Sequence, residues 1–350
     1  MAITLAQAKV NVQDDVTFAV IDELRRYSWL LDQIVFDDVV NPTGGSTLTY
    51  GYTRLITAAA AAFRAINSEY VAGQATRQRF TSDLKPLGGT FNIDRVLAAL
   101  GEAATNEVTF QLQQLVIAIK VKFQTELILG DTAVDANGFD GLSKALAGSS
   151  TEYVPNSATT HYADWSPATI NSVDKANDAL DILDEFLSTI HPSHTGGGLG
   201  GPDDVPPGTK GILGNTASIT RVRSLARRAG MYTNTKDDLG RMVERYGPWV
   251  LVDIGDRMDG SAPIIPIETR DADGAGAGGN IPNLTDLYAV SFGLDAFHGA
   301  SVANSQLVRT WMPDFEHAGA VKTGEAEMGP VTMVLKNSKT CGVLRNVKIR

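Results

Sequence analysis

The sequence contains a single cysteine, Cys341, in 350 residues. One cysteine can neither form an intrachain disulfide nor supply a cysteine-based metal site, and its rarity is typical of proteins that fold in a reducing compartment. No apolar run approaches the ~20 residues of a membrane-spanning helix, and the N-terminal residues lack the basic segment and apolar run of a signal peptide. The sequence therefore predicts neither a membrane span nor export.

Basic residues are also scarce, since 30 Lys and Arg stand against 40 Asp and Glu for a formal net charge of -10. This balance disfavours a protein that grips nucleic acid regardless of sequence, because such a protein needs a basic face. The two ends differ in sign: the first forty residues carry seven acidic side chains, whereas the tail from Val331 carries five basic ones and no acid. Opposite signs suit contact between segments or between subunits, although two solvated faces are the simpler interpretation.

Two segments match part of the sequence signature of a binding loop, but the residues around them do not fit that kind of loop. Residues 196–201 fit the glycine spacing of a dinucleotide-binding loop, but no strand precedes them and Pro202, rather than a helix, follows. Residues 271–274 begin like a calcium loop, and then Ala275 and Pro282 stand where oxygen ligands are required. A flexible loop and a surface turn explain the two segments.

Histidines and carboxylates that could do chemistry are isolated or incomplete. His191 and His194 would chelate a metal as a pair, but no third ligand is near them in the sequence. The other histidines stand alone and are interpreted as structural: His161, His298 and His317. One acidic cluster lacks a recognisable base or nucleophile and fits a solvated turn: Asp253, Asp256 and Asp259. The sequence therefore predicts no catalytic residue, no cofactor, no metal and no enzymatic activity.

Apolar residues at three- and four-residue steps predict several helices. The predicted helices cover about residues 15–35, 103–129, 171–190 and 217–228. The second would be about 40 Å long at ~1.5 Å per residue, which is the span of a whole domain. In the third, Val173 is expected to face inward and Asp174 to lie in the first turn. For the fourth, Thr216 is the expected N-cap and Gly230 the C-terminal stop.

Short apolar runs predict buried strands between these helices. The predicted strands lie at residues 212–213, 249–252, 264–267 and 287–290. After Val331 the chain is expected to alternate strands with a short helical stretch at 337–344, whereas residues 146–169 form a Ser/Thr/Asn-rich connector. The mixture predicts an α+β fold.

Residues 63–93 differ in character from the rest of the chain. Strong apolar residues are sparse there, Ala72-Gly73 lies between two extended-looking runs, and Gly88-Gly89 closes the segment. The pattern predicts a long, mostly polar β-hairpin that is net basic on an acidic protein. A surface loop is the alternative, although loops beyond about 12–15 residues are usually functional or disordered. Because an isolated two-stranded hairpin is only marginally stable, we predict an arm that lies on a partner.

Three segments in a fixed order resemble one family. The first is Glu-Leu-Ile-Leu-Gly-Asp at 126–131 followed by Phe-Asp-Gly-Leu at 139–142. The second is Asp-Leu-Tyr-Ala-Val-Ser-Phe-Gly at 286–293 with Phe-His-Gly at 297–299, and the third is the ending at 334–349, whose lysines and arginine follow the pattern K-N-x-K-x-x-x-V-L-R-x-V-K-I. Together they resemble the major capsid proteins of tailed bacteriophages, which have the Hong Kong-97 fold that encapsulins share.

The resemblance implies a discontinuous layout with an N-terminal arm, an extended loop (E-loop), a peripheral (P) domain with a long spine helix, and an axial (A) domain. The implied bounds are 1–45 for the N-terminal arm, 46–101 for the E-loop region with its hairpin at about 63–93, 102–164 for the first part of the P domain, 165–312 for the A domain with a tip loop near 274–283, and 313–350 for the return of the chain to the P domain.

The resemblance also implies residues that contact neighbouring subunits, because an E-loop lies over the next subunit. The expected contacts are Arg64, Tyr70, Arg77, Arg79, Phe80 and Lys85. Some members of the family crosslink a lysine of the E-loop to an asparagine of a neighbour. Lys85 and Asn337 are the candidate pair in this chain.

The implied function is that of a structural subunit forming the pentamers and hexamers of an icosahedral shell around double-stranded DNA, without sequence-specific DNA binding. The subunit would be made in the bacterial cytoplasm and reside in the virion capsid. Its partners would be copies of itself, a separate scaffolding protein, a portal and, as a further candidate, a decoration protein. Two alternatives remain: an encapsulin-type nanocompartment that encloses a cargo enzyme, and a soluble enzyme or binding protein whose site carries no recognisable signature.

Overall fold

The computed structural model describes residues 29–40, 48–96, 102–155, 161–190, 208–229, 233–236, 242–257, 260–272, 280–303 and 306–350. Its α-helices are α1 (Trp29–Gln33), α2 (Glu102–Leu129), α3 (Leu142–Leu146), α4 (Val173–Ser188) and α5 (Thr216–Arg228), and Ser338–Thr340 form a 3-10 turn. The predicted α+β class is confirmed.

The strands alternate with these helices along the chain. They are β1 (Phe36–Val40), β2 (Thr49–Thr57), β3 (Thr76–Asp83), β4 (Lys85–Asp94), β5 (Glu152–Tyr153), β6 (Ala163–Asp164), β7 (Thr209–Gly214), β8 (Thr233–Lys236), β9 (Met242–Tyr246), β10 (Trp249–Asp253), β11 (Glu268–Asp271), β12 (Asn280–Phe292), β13 (Phe297–Val302), β14 (Val308–Trp311), β15 (Val321–Leu335) and β16 (Cys341–Lys348).

Fourteen of the described strands belong to one hydrogen-bonded network, and β2 and β3 form a separate ribbon. The long path through the network runs β14-β15-β13-β12-β7-β10-β9-β8. β12 lies at its centre, where it pairs antiparallel with β7, β11 and β16. β4 joins the network by pairing antiparallel with β15.

β12 separates two hydrophobic cores. Its residues from Leu284 to Phe292 are all buried. Alternate side chains point to opposite faces, since Tyr288 and Val290 belong to the first core and Leu287 and Ala289 to the second. A strand covered on both faces appears in the sequence as a continuous apolar run, which is why the strand predicted at 287–290 is confirmed.

The first core lies between the network and α2. The predicted helix 103–129 is confirmed as α2, and most of its predicted stripe is buried. Five stripe residues have little or no exposed surface: Val108, Leu112, Ile119, Phe123 and Leu127. α2 packs along β4 and β15, and Leu30 and Ile34, in and just after α1, join the same core.

The second core packs α4 and α5 against β7 and β16. Asp174 lies in the first turn of α4 as predicted, but Val173 is exposed, because it is the first residue of the helix and precedes the inward-facing stripe. The N-cap of α5 is Asn215 and not Thr216. Asn215 Oδ1 accepts a hydrogen bond from the Ser218 amide at 2.8 Å, whereas the Thr216 hydroxyl donates to Asp253 Oδ2 at 2.6 Å.

Two local predictions are wrong. Residues 264–267 do not form a strand; Ile264 and Ile265 are buried in a bend, and β11 begins only at Glu268. The helical stretch predicted at 337–344 is reduced to the turn Ser338–Thr340, because Cys341 to Leu344 pair with β12. In both places tertiary packing buries an apolar run whose local pattern fits more than one conformation.

Other predictions lie wholly or partly outside the described residues. These are the histidines at 191 and 194, the glycine-rich run 196–201, Asp259, Gly230, most of the helix predicted at 15–35 and the N-terminal arm, and the larger part of the loop at 274–283. The connector at 146–169 contributes β5 and β6, which pair in parallel with β16.

Candidate interaction surface: the projecting arm

The arm comprises residues 49–83, in which β2 and β3 pair with each other. The pairing runs from Thr49 opposite Asp83 to Thr57 opposite Thr76. Residues 58–75 connect the two strands, and we call them the tip. At ~3.4 Å per residue, a nine-residue strand extends the arm about 30 Å before the tip begins.

The hairpin predicted at 63–93 is therefore misplaced toward the C-terminus. Its last part is β4, which pairs with β15 from Asp94 opposite Val321 to Lys85 opposite Val331. A Cβ atom on Gly88 would lie 2.7 Å from the Ala326 carbonyl oxygen, and one on Gly89 would lie 2.6 Å from Leu115. The glycine pair thus permits close packing of β4 on β15 and α2, and it does not mark the end of a hairpin.

The root of the arm has a small hydrophobic core of its own. Tyr50 from β2 and Leu84, the residue between β3 and β4, pack with Val40, Ala300 and Val334. The Leu84 amide donates to the Leu48 carbonyl oxygen at 2.8 Å. These contacts fasten the two ends of the ribbon to the body of the subunit.

A cation–aromatic clamp holds the next part of the arm. Arg54 Nε donates to the Lys336 carbonyl oxygen at 2.9 Å, and Arg54 Nη2 donates to that of Leu335 at 2.6 Å. The guanidinium carbon lies 4.6 Å from the ring centroid of Phe80, which stacks on Tyr52 at 5.7 Å. Burial raises the pKa of Tyr52. Phe80, expected as an intersubunit contact, thus already packs within its own subunit.

The tip has the opposite character, because its apolar side chains are exposed. Ile66 is 91% exposed, Val71 93%, and Phe63 fully exposed. Arg64 places its guanidinium 5.2 Å from the ring centroid of Tyr70 and donates from Nη1 to the Ser68 carbonyl oxygen at 3.1 Å. Exposed apolar residues grouped at one place are typical of a surface that is covered by another molecule.

The other predicted contact residues divide between the arm and its root. Arg77 and Arg79 lie exposed on β3. Lys85 begins β4, beyond the arm, where it is half-buried beside Leu84. Asn337 caps the 3-10 turn, and its Oδ1 accepts from the Lys339 amide at 3.0 Å. Four arginines against two acids in residues 49–83 leave the arm net basic on a chain of net charge -10.

The Phe-Asp-Gly-Leu motif closes the C-terminal end of helix α2. The Gly141 amide donates to the Gly130 carbonyl oxygen at 2.8 Å. Lys144 lies 2.5 Å from an Asp131 oxygen and 3.0 Å from one of Asp140. The hydrogen bond to Asp131 is the first cause of the raised pKa of Lys144, and the same bond lowers the pKa of Asp131. The spacing between residues 126–131 and 139–142 therefore has a structural cause: the two segments bond to each other at the end of α2, and we call this contact the clip.

A largely buried ionic network links β5, β11, β12 and β16, and the sequence alone did not reveal it. Asp286 on β12 contacts Arg270 Nη1 at 2.7 Å and Arg345 Nη1 at 3.1 Å. Arg345 also donates from Nε to Glu152 at 2.8 Å. A signal was present, since Asp286 is a lone acid beside the apolar run 287–290.

The described residues show no group of side chains arranged as a metal-binding site. Within them, no group of three or more His, Cys, Asp or Glu side chains could hold a metal ion. Asp253 accepts from Thr216 and from the Gly255 amide, which fits the solvated turn predicted there. No helix in this part of the chain has the length and apolar character needed to cross a membrane.

Comparison with known proteins gives matches of structure only. No family model matches the sequence, and no curated protein matches it. The holo-SrpI encapsulin complex from Synechococcus elongatus aligns over 97% of this chain and 97% of its own, with a TM-score of 0.54 and 12% identity. The capsids of empty and native GTA particles each give a TM-score of 0.52 and 12% identity, over 92% and 99% of this chain and 96% and 95% of their own.

At these identities the likeness defines the fold. The chain has the Hong Kong-97-type fold of shell-forming capsid and encapsulin proteins, as the three quoted segments indicated.

Proposed function

We propose that this chain is the major capsid protein of a tailed bacteriophage, a structural subunit that builds the pentamers and hexamers of an icosahedral shell around double-stranded DNA. The arm is the observation that carries the proposal. Its root is fixed by a core and a clamp, while its tip exposes Phe63, Ile66 and Val71. Such a tip needs a surface to cover it, and the fold is one that forms shells.

The proposed domain layout follows the resemblance. Residues 1–45 form the N-terminal arm, 46–101 the E-loop region, 102–164 and 313–350 the P domain, and 165–312 the A domain. The proposed E-loop is the arm, residues 49–83. Its intersubunit contacts include Arg64, Tyr70, Arg77 and Arg79, whose side chains point away from the subunit core.

The proposed partners are further copies of the chain, a separate scaffolding protein and a portal during assembly, with a decoration protein as an additional candidate. The shell wall is proposed to enclose DNA without gripping it. The formal charge of -10 supports this role, because an acidic wall repels phosphates at short range. The subunit is proposed to act without enzymatic activity, in the capsid of a virion assembled in the bacterial cytoplasm.

Replacing the tip, residues 58–75, with a short Gly-Ser turn tests the proposal. The replacement keeps both strands of the ribbon, whereas deletion of residues 71–85 would remove β3 and the buried Leu84. We expect subunits that fold with the circular dichroism and urea stability of the wild type but form no stable shells in negative-stain microscopy and light scattering.

A pair of matched substitutions distinguishes the effect of the tip from the effect of any exposed apolar residue. Phe63→Ser is expected to impair assembly, whereas Val134→Ser, which changes another highly exposed apolar residue away from the arm, is expected to leave it intact. Shells that form equally well without the tip would contradict the role of the arm. A wild-type protein that stays a monomer or small oligomer would contradict the capsid proposal and favour a soluble enzyme or binding protein.

An encapsulin-type nanocompartment is the second candidate, favoured by the structural likeness to the encapsulin complex. The contents of purified particles distinguish the two functions, since a phage capsid encloses DNA and a nanocompartment encloses a protein cargo. Nuclease-protected DNA supports the first, and a co-purifying enzyme of fixed stoichiometry supports the second.

The crosslink between Lys85 and Asn337 of a neighbour is a separate proposal with its own test. Denaturing gel electrophoresis of assembled shells would show a ladder of covalent multimers that disappears in Lys85→Met. Bands of monomer size alone would exclude the crosslink and would leave the capsid function untouched.

A further inference from the structure

His298 lies on β13 directly beneath the root of the arm. Its side chain has no exposed surface. Within the described residues, neither ring nitrogen has a hydrogen-bond partner of normal geometry. The ring meets the edge of Tyr50, with centroids 5.7 Å apart and planes at 72°. A buried imidazole without a well-formed hydrogen bond is held in its neutral form, because a charge there would lack water and a well-aligned acceptor.

Among the residues described, three charged side chains lie around His298, and they come from β1, from the segment just before β13 and from the residue after β15. Asp37 of β1 accepts a hydrogen bond from the Tyr50 hydroxyl at 2.9 Å, and Lys336, after β15, places its Nζ 5.7 Å from the Tyr50 ring centroid. Asp295 precedes β13. Burial lowers the pKa of His298 to about 4, and the charge of Lys336 adds to this effect, whereas Asp37, the backbone of Ala296 and Asp295 oppose it.

Of the elements that cover His298, the arm is held to the subunit by the fewest backbone hydrogen bonds. β13 pairs with β1 on one side and with β15 on the other. β2 and β3 pair only with each other in the described part of the chain. The arm is held over His298 by the packing of Tyr50 and Leu84 and by a few side-chain hydrogen bonds. Water can therefore reach the ring at the lowest cost by displacing the arm.

We propose that His298 is an acid-sensitive latch: when its ring takes up a proton, the root of the arm detaches from the body of the subunit. The protonated ring would lie near the cation Lys336, and neither N–H would have an acceptor of normal hydrogen-bond geometry among the described residues. Detachment of Tyr50 hydrates the ring and relieves this repulsion. The latch belongs to a single subunit, so it does not depend on the proposed function of the arm in a shell.

The effect of pH on detachment of the arm follows from the pKa of His298 in the seated and in the detached state. The ring has its ordinary pKa of about 6.5 when the arm is detached, and about 4 when the arm is seated. Above pH 6.5 neither state binds the proton, so pH has no effect. Between the two values only the detached state binds it, and detachment becomes about tenfold more favourable for each pH unit of acidification. Below the lower value the effect levels off.

Hydrogen–deuterium exchange of the full-length protein between pH 4 and 8, corrected for the intrinsic rates, tests the latch. Peptides covering β2 and β3 should exchange faster as the pH falls below 6.5, by a total of roughly 160-fold at pH 4, while peptides from α4 stay protected. Acceleration of α4 to the same extent would show global unfolding and overturn the proposal, as would an arm that is insensitive to pH.

Three variants sharpen the test. In His298→Phe the ring cannot take up a proton, and the acid response of the arm should vanish. His317→Gln removes an exposed histidine that pairs with Asp314 and should respond as the wild type does. Lys336→Met keeps His298 but removes the nearby cation, so the total response should shrink; this variant stands in if His298→Phe does not fold. An unchanged acid response in His298→Phe, or in Lys336→Met, would refute the latch.

Discussion

Asp286 is a buried charged residue on β12, the strand that separates the two hydrophobic cores. Its side chain is 4% exposed and contacts both Arg270 and Arg345. It also accepts from the Asn346 amide at 3.1 Å. Taking a carboxylate out of water is costly unless several donors replace the solvent, and here two guanidinium groups and an amide do so. Loss of the carboxylate would remove the buried charged partner that Arg270 and Arg345 share and leave them with the more exposed Glu268 and Glu152.

Asp286→Ala is therefore expected to lower the free energy of unfolding of the unassembled subunit by about 3–5 kcal/mol, the range found when one partner of a buried ion pair is removed. Urea denaturation followed by circular dichroism measures the change. Asp314→Ala is the matched control, because Asp314 is an exposed acid paired with His317, and loss of a solvated surface pair should change the stability little. Equal losses in the two variants would show that the network contributes no more than a surface pair.

Roles of single residues could be predicted where the cause is local. Asp174 was placed in the first turn of α4 from sequence alone, because the helix start is marked by neighbouring residues. The cap of α5 was missed by one position, since Asn215 and Thr216 are both good capping residues and the choice depends on distant partners. Asn215 Nδ2 donates to Thr285 and to the Ile265 carbonyl oxygen, and no spacing in the sequence announces those contacts.

At the scale of elements, two glycines let the end of α2 meet the following loop. A Cβ atom on Gly130 would lie 2.2 Å from the Phe139 carbonyl oxygen, and one on Gly141 would lie 2.4 Å from the Glu126 carbonyl oxygen. These contacts are with backbone atoms, which cannot move aside as the end of a flexible side chain can. The close approach explains why glycine stands at both positions of the clip.

Gly141→Ala should consequently break the clip and destabilise the subunit by more than about 3 kcal/mol, a loss in the range of strongly disruptive core changes. Urea denaturation and soluble yield report the effect. Gly148→Ala is the comparison, because its φ is +71° and nothing lies within 4 Å of the added atom; only the backbone strain of about 1 kcal/mol remains. A tolerated Gly141→Ala would contradict the tight packing.

Helices were easier to predict than strand pairing, for a physical reason. The periodicity of α2 is contained in its own residues, and its predicted bounds agree with Glu102–Leu129 within one residue. The hairpin was misplaced because pairing depends on residues far away in the chain: β4 pairs with β15, more than 200 positions later, and not with the preceding run. Gly88 and Gly89 have the same sequence signature whether they end a hairpin or admit a neighbouring strand.

At the scale of the whole molecule, the chain is acidic and the arm is basic, so charge would oppose the proposed assembly at long range and favour it at the arm. Each copy carries a formal charge of -10, so copies repel one another, whereas the arm has four arginines against two acids. Two of the five basic residues of the tail are already paired inside the subunit, since Arg345 pairs with Glu152 and Lys348 with Asp164. Salt should weaken both effects, and the repulsion, which acts over longer distances, should weaken more.

Assembly should therefore become easier as salt is raised, if the chain forms shells as proposed. Between about 0.01 M and 1 M salt the Debye length falls from about 30 Å to about 3 Å, which screens repulsion between subunits while burial of the apolar tip is unaffected. Light scattering against subunit concentration gives the critical concentration at each salt level, and we expect it to fall. Arg77→Glu should raise it more than Arg227→Glu does, since both change the net charge equally but only the first lies on the arm. A critical concentration that rises with salt would show that contacts of the arginines, and not repulsion between acidic subunits, govern assembly. Equal effects of the two substitutions would show that the arm lies away from the interface.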